Sequence, residues 1–397
     1  MKAVEPVFAP SELARIFAQL RGANSFAVAV SGGGDSMALL RMVLEWHGAE
    51  GITALTVDHH LRDNSEAEAS EVARWCQDLG VAHHTLTWAH PPLRSGLQAK
   101  ARVARYDLLS AFCIAHGLPI VLTAHTREDQ AETVAMRKLR TKSPKSLASI
   151  WPRTQWNTIT VVRPLLQESR KHLREYLTSI HQSWLEDPSN TNESFERIRI
   201  RNASPDPTLA AVAESAQAEV TAAQQAARTW ASQNLEIQAT GLLRFPSASL
   251  SALSPLAKDE MLLTLIALAG GAPPERARRA ALLSWMENPQ SQRRTLGGVI
   301  FAWRKSYILA MREPARIAAA PVHISADKPV IWDHRFEISA PPGSTISSMS
   351  SHKPMKRLTE IPSTVWAGLP VVSRRGEILG SLHDTIHDDV KIKFIKK

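Results

Sequence analysis

The sequence predicts an α/β fold with a parallel sheet in its N-terminal part, and two observations carry that prediction. Residues 24–200 alternate short apolar, β-prone segments with longer segments whose apolar residues recur at helical spacing. Polar residues that suit chemistry follow the expected strands: Asp35 the first, Asp58 the second, and His125 and Asp129 the fourth. Ligands of parallel α/β sheets bind beyond the carboxyl ends of the strands, where these residues fall.

The elements of this sheet domain are assigned from periodicity and residue type. Strands are expected at 26–30, 52–57, 82–86 and 119–124, and helices at 64–79, 97–115 and 128–139, besides the helix that follows the first strand. The alternation of strands and helices implies a parallel sheet with helices on both faces.

Two prolines at 203–207 end this region and suggest a domain boundary. Beyond it, helices are expected at 208–234, 250–269 and 275–287, a hairpin around Gly297 and Gly298, short strands from Ala320 onward, and a final edge strand at 391–397. The predicted organisation is therefore a sheet domain at 1–204, a mainly helical region at 205–318 and a small C-terminal α+β piece at 319–397.

Composition limits the class of protein. The chain has 397 residues, of which 44% are apolar, enough for ordinary folded cores. Its longest apolar stretches are far shorter than the roughly 20 residues that a membrane span requires, and its first residues do not form a secretory signal. Cys76 and Cys113 stand far apart in apolar helical contexts, so we expect buried thiols in a reduced cytoplasm, with a redox or sulfur-carrying role as the alternative.

The net charge is +9, which favours a polyanionic partner without identifying it. Residues 1–204 carry 24 Lys and Arg against 21 Asp and Glu, a net charge of +3. The remaining residues carry 23 against 17, a net charge of +6. The basic excess therefore lies more in the second half, as expected if that half holds a polyanion.

The segment Ser31-Gly32-Gly33-Gly34-Asp35-Ser36 joins the first expected strand to its helix. Glycine lets backbone N–H groups converge on an anion, and a helix N-terminus adds unpaired N–H groups and a positive dipole end. The segment lacks the lysine of GxxxxGK[ST] and the spacing of GxGxxG. Asp35 suits such a phosphate site if Mg²⁺ bridges it to the phosphates. The alternative is a tight glycine turn without a ligand.

Two further groups of residues suit a nucleotide or an anionic substrate. Asp58 and His59 end the second strand, where a carboxylate could accept hydrogen bonds from a ribose or base; a polar turn is the alternative. Arg102, Arg105 and Tyr106 lie at neighbouring helical positions, where guanidinium groups could hold phosphate or carboxylate; an exposed charged face is the alternative.

Acidic and basic residues also gather after the fourth strand and near residue 200. His125 and Asp129 lie four residues apart, with Glu128 and Glu132 as a second acidic row, and they suit a metal or a cationic substrate unless they are helix caps. Arginines at alternate positions, Arg197, Arg199 and Arg201, would project to one side of an extended segment as a phosphate clamp; a solvated basic strand is the alternative.

The glycine segment resembles the SGGxDS signature of the PP-loop ATP pyrophosphatases, which cleave ATP between its α and β phosphates. With the strings VDH-x-LR, AR-x-x-RY, H-x-x-x-DQ-x-ET, RPLL, EDPSN and R-x-R-x-R, the stretch from Val28 to Arg201 resembles the tRNA(Ile)-lysidine synthetase family. Beyond Ser204 the resemblance is weaker, chiefly at 295–298 and the hairpin after it, which look like the family's tRNA-binding appendage.

This resemblance implies a PP-loop (adenine nucleotide alpha hydrolase-like) catalytic domain at 1–204 and a tRNA-binding domain at 205–318. It implies a cytoplasmic ligase that joins free L-lysine to C2 of the first anticodon cytidine of tRNA(Ile) with a CAU anticodon. That reaction gives lysidine and changes the specificity from Met to Ile. ATP and Mg²⁺ would be the cofactors, AMP and pyrophosphate would be released, and the cytidine would be adenylated on the way. The oligomeric state is not predicted.

Residues and resemblance together give the candidate site. Catalytic roles are expected for Asp35, Asp129 and Arg201; ATP binding for Ser31, Gly32, Gly33, Gly34, Asp35, Ser36, Asp58 and His59; substrate binding for Arg102, Arg105, His125, Glu132 and Arg197; and Mg²⁺ binding for Asp35 and Asp129.

Two departures from the family pattern bear on activity. Glu128 stands where the family usually has the first of two aspartates, and a basic segment at 138–145 replaces a glycine-rich loop. Two other functions therefore stay open. One is another PP-loop enzyme, such as a tRNA cytidine thiolase, although such thiolases generally carry paired cysteines. The other is a tRNA-binding protein whose nucleotide site has decayed.

Overall fold

The computed structural model describes residues 7–60, 64–89, 97–186, 196–203, 206, 208–289, 291–318, 320–325, 328–352, 361–382 and 387–395. Parts of three predicted motifs lie outside them: Leu61 and Arg62, the segment 187–190, and the prolines of the expected boundary near residue 204. The chain divides into two compact units, Met1–Glu219 and Val220–Lys397. The domain limits at 204 and 318 stay predictions.

The first unit alternates helices and strands, as the sequence predicts. Its helices are α1 (Pro10–Ile16), α2 (Gly34–His47), α3 (Ser65–Asp78), α4 (Leu97–Ala115), α5 (Arg127–Lys138), α6 (Pro144–Leu147), α7 (Arg170–Ser179) and α8 (Glu196–Asn202), and α9 (Thr208–Asn234) runs on into the second unit. Its strands are β1 (Phe26–Ala29), β2 (Ile52–Asp58), β3 (Ala82–Thr87), β4 (Ile120–Leu122), β5 (Arg153–Trp156) and β6 (Ile159–Val162).

These strands form one sheet in the order β3-β2-β1-β4-β6-β5. All neighbouring pairs are parallel except the hairpin of β5 and β6. The chain passes from β1 to β2 and β3 on one side, and β4 then pairs with the other side of β1. The strand order therefore reverses between β1 and β4, the kind of position at which α/β sheets bind ligands. The loops after these two strands carry the glycine segment and the His125–Asp129 segment.

Two apolar clusters cover the two faces of the sheet. On one face, Leu40 of α2 and Leu177 of α7 belong to the cluster that includes Val28 of β1. On the other face, Tyr106 and other residues of α4 pack in the cluster that includes Ala27. Because neighbouring strand residues point to opposite faces, α2 and α7 lie on one side of the sheet and α4 on the other.

The cysteines are buried and unpaired, as expected, and each belongs to a different one of these clusters. Burial raises the pKa of both thiols, Cys76 and Cys113, to about 11. Both therefore stay protonated near neutral pH, which disfavours a nucleophilic or sulfur-carrying role. Within the described parts of the chain, no helix is both long and apolar enough to cross a membrane.

The second unit combines helices with small antiparallel sheets. Its helices after α9 are α10 (Pro255–Leu268), α11 (Arg276–Glu287) and α12 (Ser363–Ala367). Strands β7 (Glu236–Ile237), β8 (Leu243–Pro246), β9 (Arg293–Leu296), β10 (Val299–Arg304) and β11 (Tyr307–Arg312) form a sheet in the order β7-β8-β11-β10-β9. The sequence predicted α10 and α11 but not α12, β7 or β8, which are too short to show a period.

The remaining strands lie in the C-terminal piece. They are β12 (Val322–His323), β13 (Val330–Trp332), β14 (Phe336–Ser339), β15 (Thr345–Ser348), β16 (Pro370–Arg374), β17 (Glu377–Ser381) and β18 (Lys391–Phe394). They form two sheets, ordered β12-β15-β16-β17 and β13-β14-β18. The predicted final edge strand is confirmed as β18 over the residues that the structure describes.

The predicted hairpin is also confirmed. Strands β9 and β10 pair antiparallel, with Leu296 opposite Val299. The two residues between them, Gly297 and Gly298, have φ angles of +62° and +78°. Two-residue hairpin loops favour positive φ at both positions, and glycine adopts it without steric cost.

Candidate active site

The glycine segment forms a closed loop at the end of β1. Helix α2 begins at Gly34, so the N–H groups of its first turn have no acceptor within the helix. The Ser36 hydroxyl accepts a hydrogen bond from the Ser31 N–H at 3.1 Å and donates one to the Gly33 carbonyl at 2.8 Å. Ser36 therefore holds the loop in shape, and the loop presents a preformed set of donors to an anion.

The glycines of this loop serve different purposes. Gly32 has a φ of +83°, and a Cβ there would lie 2.5 Å from Leu185 Cδ1 and 2.7 Å from Val72 Cγ2. A Cβ on Gly33 would meet only Ser31 Oγ, at 3.7 Å. Packing thus requires Gly32, whereas it leaves room beside Gly33. The open side of the loop is where a phosphate could approach the backbone.

Asp35 lies in the first turn of α2 and faces a cation from another helix. Its Oδ2 accepts a hydrogen bond from Arg170 Nε of α7 at 3.2 Å. Burial raises the pKa of Asp35, and the charge of Asp129 adds to that, although Arg170 opposes it. The carboxylate therefore gains from any further positive charge placed beside it.

Asp129 is fixed at the start of α5 by a capping box. Its Oδ2 accepts the Thr126 N–H at 2.8 Å, while Thr126 is the N-cap of the helix. Its Oδ1 accepts hydrogen bonds from Arg170 Nη2 at 2.7 Å and from Arg197 Nη2 at 2.6 Å. Asp129 is thus both a helix cap, the alternative that the sequence left open, and a member of a charged site.

Glu132 lies one turn further along α5, and only 1% of its side chain is exposed. Its Oε1 accepts hydrogen bonds from Arg170 Nη1 at 2.9 Å and Arg201 Nε at 2.8 Å. Its Oε2 accepts one from Arg197 Nε at 2.8 Å and a longer one from Arg201 Nη2 at 3.4 Å. One buried carboxylate therefore aligns three guanidinium groups from α7 and α8.

These residues form one connected group, which we call the acid–arginine network: Asp35, Asp129, Glu132, Arg170, Arg197 and Arg201. Burial alone would raise the pKa values of Asp129 and Glu132, but the guanidinium groups lower both. For Arg170, burial would lower the pKa, yet the carboxylates raise it. Three negative and three positive groups thus balance at a partly buried site next to the glycine loop.

The arginines near residue 200 do not form the extended segment that the sequence suggested. They lie in helix α8, which changes which of them share a side. Arg197 and Arg201 are four residues apart and both reach Glu132, while Arg199 lies between them in sequence and on another side of the helix. Arginine is a good helix former, and the carboxylates of α5 fix this short helix in place.

Arg170 is the residue of this network that the sequence analysis missed. Its guanidinium contacts Asp35, Asp129 and Glu132, and its backbone N–H donates to Glu128 Oε2 at 3.0 Å. Two features of the sequence could have indicated Arg170. Ser169 is an N-cap residue directly before it, and three carboxylates gathered at strand ends require a nearby cation. Glu128, the departure from the family pattern, therefore positions the backbone of Arg170.

The network borders a cavity of about 770 Å³. The residues that line it come mainly from α7 and are Arg170, Lys171, Arg174, Glu175, Thr178, Ser179, Glu186 and Arg201. This is within the size range of small-molecule sites. The cavity gives a substrate access to Arg170 and Arg201.

The remaining predicted residues of α4 and the β4 loop lie beside the network. Burial, together with Arg163, Arg105 and Arg102, lowers the pKa of His125 to about 3 despite the opposing charge of Asp129, so its imidazole is neutral near pH 7. Its Nδ1 lies 3.1 Å from Thr123 Oγ1.

Arg102 lies with its guanidinium carbon 5.2 Å from the centre of the Tyr106 ring, a cation–π contact.

Asp58 and His59 make local contacts. Asp58 Oδ1 accepts the His60 N–H at 2.8 Å, and the His59 ring stands edge-on to Trp88 with 5.6 Å between ring centres. The polar-turn alternative therefore accounts for the contacts of Asp58. Its strand, β2, pairs directly with β1, and ATP binding by Asp58 and His59 stays a prediction.

Comparison with known proteins finds a matching family and several similar proteins. The PP-loop domain family matches residues 8–205. A tRNA(Ile)-lysidine synthase from Mesorhizobium japonicum is 35% identical over 83% of this chain and 76% of its own length. The chain belongs to the tRNA(Ile)-lysidine synthase family. Relatives with the same name from Ruegeria pomeroyi and Rhizobium meliloti are 34% and 31% identical and cover 79% and 88% of this chain, and 76% and 80% of their own lengths.

Among solved structures, the U34-tRNA thiolase NcsA from Methanococcus maripaludis has 13% sequence identity and a TM-score of 0.45, over 52% of this chain and 77% of that one. In this member of the tRNA(Ile)-lysidine synthase family, the residues that match the PP-loop domain family include the glycine loop, the acid–arginine network and helix α8.

Proposed function

We propose that this protein uses ATP to join lysine to C2 of the first anticodon cytidine of tRNA(Ile), giving lysidine with release of AMP and pyrophosphate. The observation that carries the proposal is the acid–arginine network beside the glycine loop in a chain of this family. Charge builds on phosphate oxygens when the α-phosphate is attacked and pyrophosphate leaves. A preformed set of N–H donors and guanidinium groups stabilises such charge.

We assign ATP to the loop 31–36 and the N-terminus of α2. The loop offers backbone N–H groups, and Ser36 keeps it in shape. Arg201, a predicted catalytic residue, lies on the cavity side of the network with Arg170 and is suited to contact the α-phosphate or the leaving pyrophosphate. In this assignment the cytidine C2 oxygen attacks the α-phosphate, and the ε-amine of lysine then displaces AMP at C2.

Asp35 and Asp129 fit a magnesium ion bound together with the phosphates. Mg²⁺ sites in ATP enzymes usually combine one or two carboxylates with phosphate oxygens and water. Asp35 and Asp129 already share one cation, Arg170, and burial raises the pKa of Asp35. Among the described residues, Asp35 Oδ1 accepts no hydrogen bond. A bound Mg²⁺ would supply charge neutralisation at the phosphates, and these two side chains would hold it.

The predicted substrate-binding residues divide into two groups. Arg102, Arg105 and His125 lie on the α4 side, where a nucleotide of the tRNA could be held. Glu132 and Arg197 belong to the network, and both Glu132 oxygens are occupied by guanidinium groups. If Glu132 binds an ammonium group of lysine, that group must displace an arginine. We therefore infer that Glu132 chiefly aligns Arg170, Arg197 and Arg201.

The target base must leave its stack to be reached, which suits an anticodon loop. We propose the cytoplasm as the location because the reaction uses tRNA, ATP and free lysine.

The decisive experiment measures labelled lysine entering a tRNA(Ile) transcript with a CAU anticodon. The control transcript carries uridine in place of the target cytidine. We expect incorporation only with the cytidine, and pyrophosphate release that depends on both lysine and tRNA. Sulfur uptake without lysine would instead support the thiolase alternative, which the absence of a CxxC pair and the two buried thiols already disfavour.

The variant Asp35→Ala tests the site and the decayed-site alternative together. We expect it to abolish pyrophosphate release, because the phosphates lose their carboxylate-held cation, while tRNA binding stays nearly unchanged. A fully active Asp35→Ala protein would refute the role assigned to Asp35. A wild-type protein that binds tRNA but releases no pyrophosphate would support a binding protein with a decayed nucleotide site.

A further inference from the structure

Four arginines form a second group of charged residues on the α4 side of the site. They are Arg102, Arg105, Arg137 and Arg163, which we call the unpaired arginine cluster. Within the described residues, none of them forms an ion pair with a carboxylate. In the acid–arginine network, by contrast, each arginine has at least one carboxylate partner. The two groups therefore differ in kind: one is charge-balanced and the other carries an excess of positive charge.

Neutral groups hold two members of this cluster in place. Arg163 is 95% buried, since only 5% of the residue is exposed, and its Nη1 donates to the Trp151 carbonyl at 2.9 Å. Its Nε is also buried and has no acceptor in the described part of the chain. Arg137 donates to the Ser146 carbonyl at 2.8 Å. Hydrogen bonds thus hold the guanidinium groups of Arg137 and Arg163 in place without neutralising their charges.

The surrounding residues respond to this uncompensated charge. Burial lowers the pKa of Arg105, and so does the charge of Arg102. Burial would raise the pKa of the Tyr106 phenol, but Arg163, Arg102 and Arg105 together lower it. Arg163 is the buried member of the cluster, and a buried charge without a carboxylate partner costs folding stability. An anionic ligand therefore accounts for the cluster better than folding does.

The position of the cluster indicates which anion binds there. Helix α4 lies on one face of the sheet, while α2 and the network arginine Arg170 of α7 lie on the other. His125, after β4, is within electrostatic reach of both Asp129 and three arginines of the cluster. The ATP loop leads into α2, on the face opposite the cluster. Of the two proposed substrates that carry phosphate, ATP is assigned to that loop. The tRNA strand is therefore the phosphate-bearing ligand left for the cluster.

We propose that the unpaired arginine cluster binds a backbone phosphodiester of the substrate tRNA next to the nucleotide that reacts. This inference rests on the proposed function. Arg102 and Arg105 contact the phosphate, since guanidinium groups match phosphate oxygens bidentately. Arg137 and Arg163 act as positioning residues that keep the potential positive. In this arrangement the target base and ATP meet at the same edge of the sheet. The base approaches that edge from the α4 side, and ATP approaches it from the α2 side.

The test measures tRNA binding to the full chain as a function of salt. The variants are Arg102→Gln and Arg105→Gln, and the matched control is Arg74→Gln. Arg74 is an exposed arginine of α3 that, among the described residues, pairs with Glu71 and Asp78. Each lost phosphate contact should reduce the slope of log K against log salt by about 0.7–0.9. We expect that reduction and weaker tRNA binding in the two cluster variants, with ATP affinity unchanged, and no reduction in the control.

A chemically altered tRNA tests which phosphate the unpaired arginine cluster binds. A single uncharged methylphosphonate replaces one anticodon-loop phosphate at a time. We expect one position to weaken binding to the wild type and to have no further effect on Arg105→Gln, because the two changes remove the same contact. Arg102→Lys, which keeps the charge, should recover part of the affinity lost in Arg102→Gln.

Two outcomes would overturn the inference: salt slopes equal to that of the control, or weakened ATP binding with tRNA binding intact, which would assign the cluster to the triphosphate. Failure of the proposed function would look different. In that case, wild-type protein would incorporate no lysine, whatever its tRNA affinity and salt slope.

Discussion

Asp35 and Glu132 belong to the same network, yet their surroundings shift their pKa values in opposite directions. Burial raises the pKa of Asp35, which has one arginine partner. Three arginines lower the pKa of Glu132 although burial opposes them. A carboxylate whose charge is poorly compensated gains most from a metal ion, and one that is saturated gains least. This difference supports the proposal that Asp35, with Asp129, holds a metal ion and that Glu132 aligns the arginines.

Arg170 is the arginine that contacts all three carboxylates of the network. Replacing it by glutamine leaves Asp35, Asp129 and Glu132 without their shared cation, and breaking such a pair costs about 3 kcal/mol of stability. We expect Arg170→Gln to lower the unfolding midpoint in urea and to reduce lysine incorporation at least about 100-fold, the scale of losing one charge-stabilising donor. Arg170→Lys should keep more stability than activity, since an ammonium group cannot reach three carboxylates at once.

The comparison that checks this uses Arg174→Gln. Arg174 lies on the same helix and pairs only loosely, at 3.7 Å, with Glu186. We expect Arg174→Gln to lower the free energy of unfolding by less than about 1 kcal/mol, because exposed ion pairs contribute little to stability. Equal destabilisation by Arg170→Gln and Arg174→Gln would argue against the special position of Arg170.

At the scale of single elements, the sequence predicted most of the fold but not all of the site. Helices α4 and α9 begin and end where periodicity placed them, because long apolar patterns are unambiguous. The segment around Arg199 was misjudged, because the alternation of arginines with Ile198 and Ile200 is typical of a strand. In the structure, ion pairs of Arg197 and Arg201 with Glu132 of α5 hold the segment as a helix instead. Arg170 was missed because its partner Asp35 lies 135 residues away in the sequence. Such contacts depend on the sheet order, which local patterns do not encode.

Helix α8 is held by charge rather than by apolar packing. None of its described residues is buried, and it contacts α5 through Arg197 and Arg201 and residue Arg140 through Glu196. Helix α7, in contrast, buries Leu173 and Leu177 in the core. Salt screens partly exposed ion pairs but does not weaken apolar burial.

We therefore expect amide hydrogen exchange in α8 to speed up when salt is raised from about 0.1 to 1 M, over which the Debye length falls from roughly 10 to 3 Å. Exchange in α7 should change little over the same range, which makes it the internal control. Glu132→Gln should raise α8 exchange at low salt already. Salt-independent exchange in α8 would mean that contacts other than these ion pairs hold the helix.

At the scale of the whole molecule, the two parts of the chain carry different shares of the charge. The net charge is +3 up to residue 204 and +6 beyond it. In the second unit, edge strand β9 exposes Arg293 and Arg294, which have no carboxylate partner among the described residues. Phosphate contacts fix the register and affinity of a nucleic acid without taking part in chemistry. Binding and catalysis should therefore be separable by mutation.

The double variant Arg293→Gln with Arg294→Gln tests that separation. Because it removes two phosphate-binding charges far along the sequence from the network, we expect a raised KM for tRNA and a salt slope reduced by about 1.4–1.8. The kcat at saturating tRNA and the affinity for ATP should stay at wild-type values, since a purely binding contact contributes equally to ground and transition states. Arg278→Gln, an exposed change on α11 of the same unit, controls for general loss of charge. A fall in kcat with an unchanged KM would instead assign strand β9 to the chemical step.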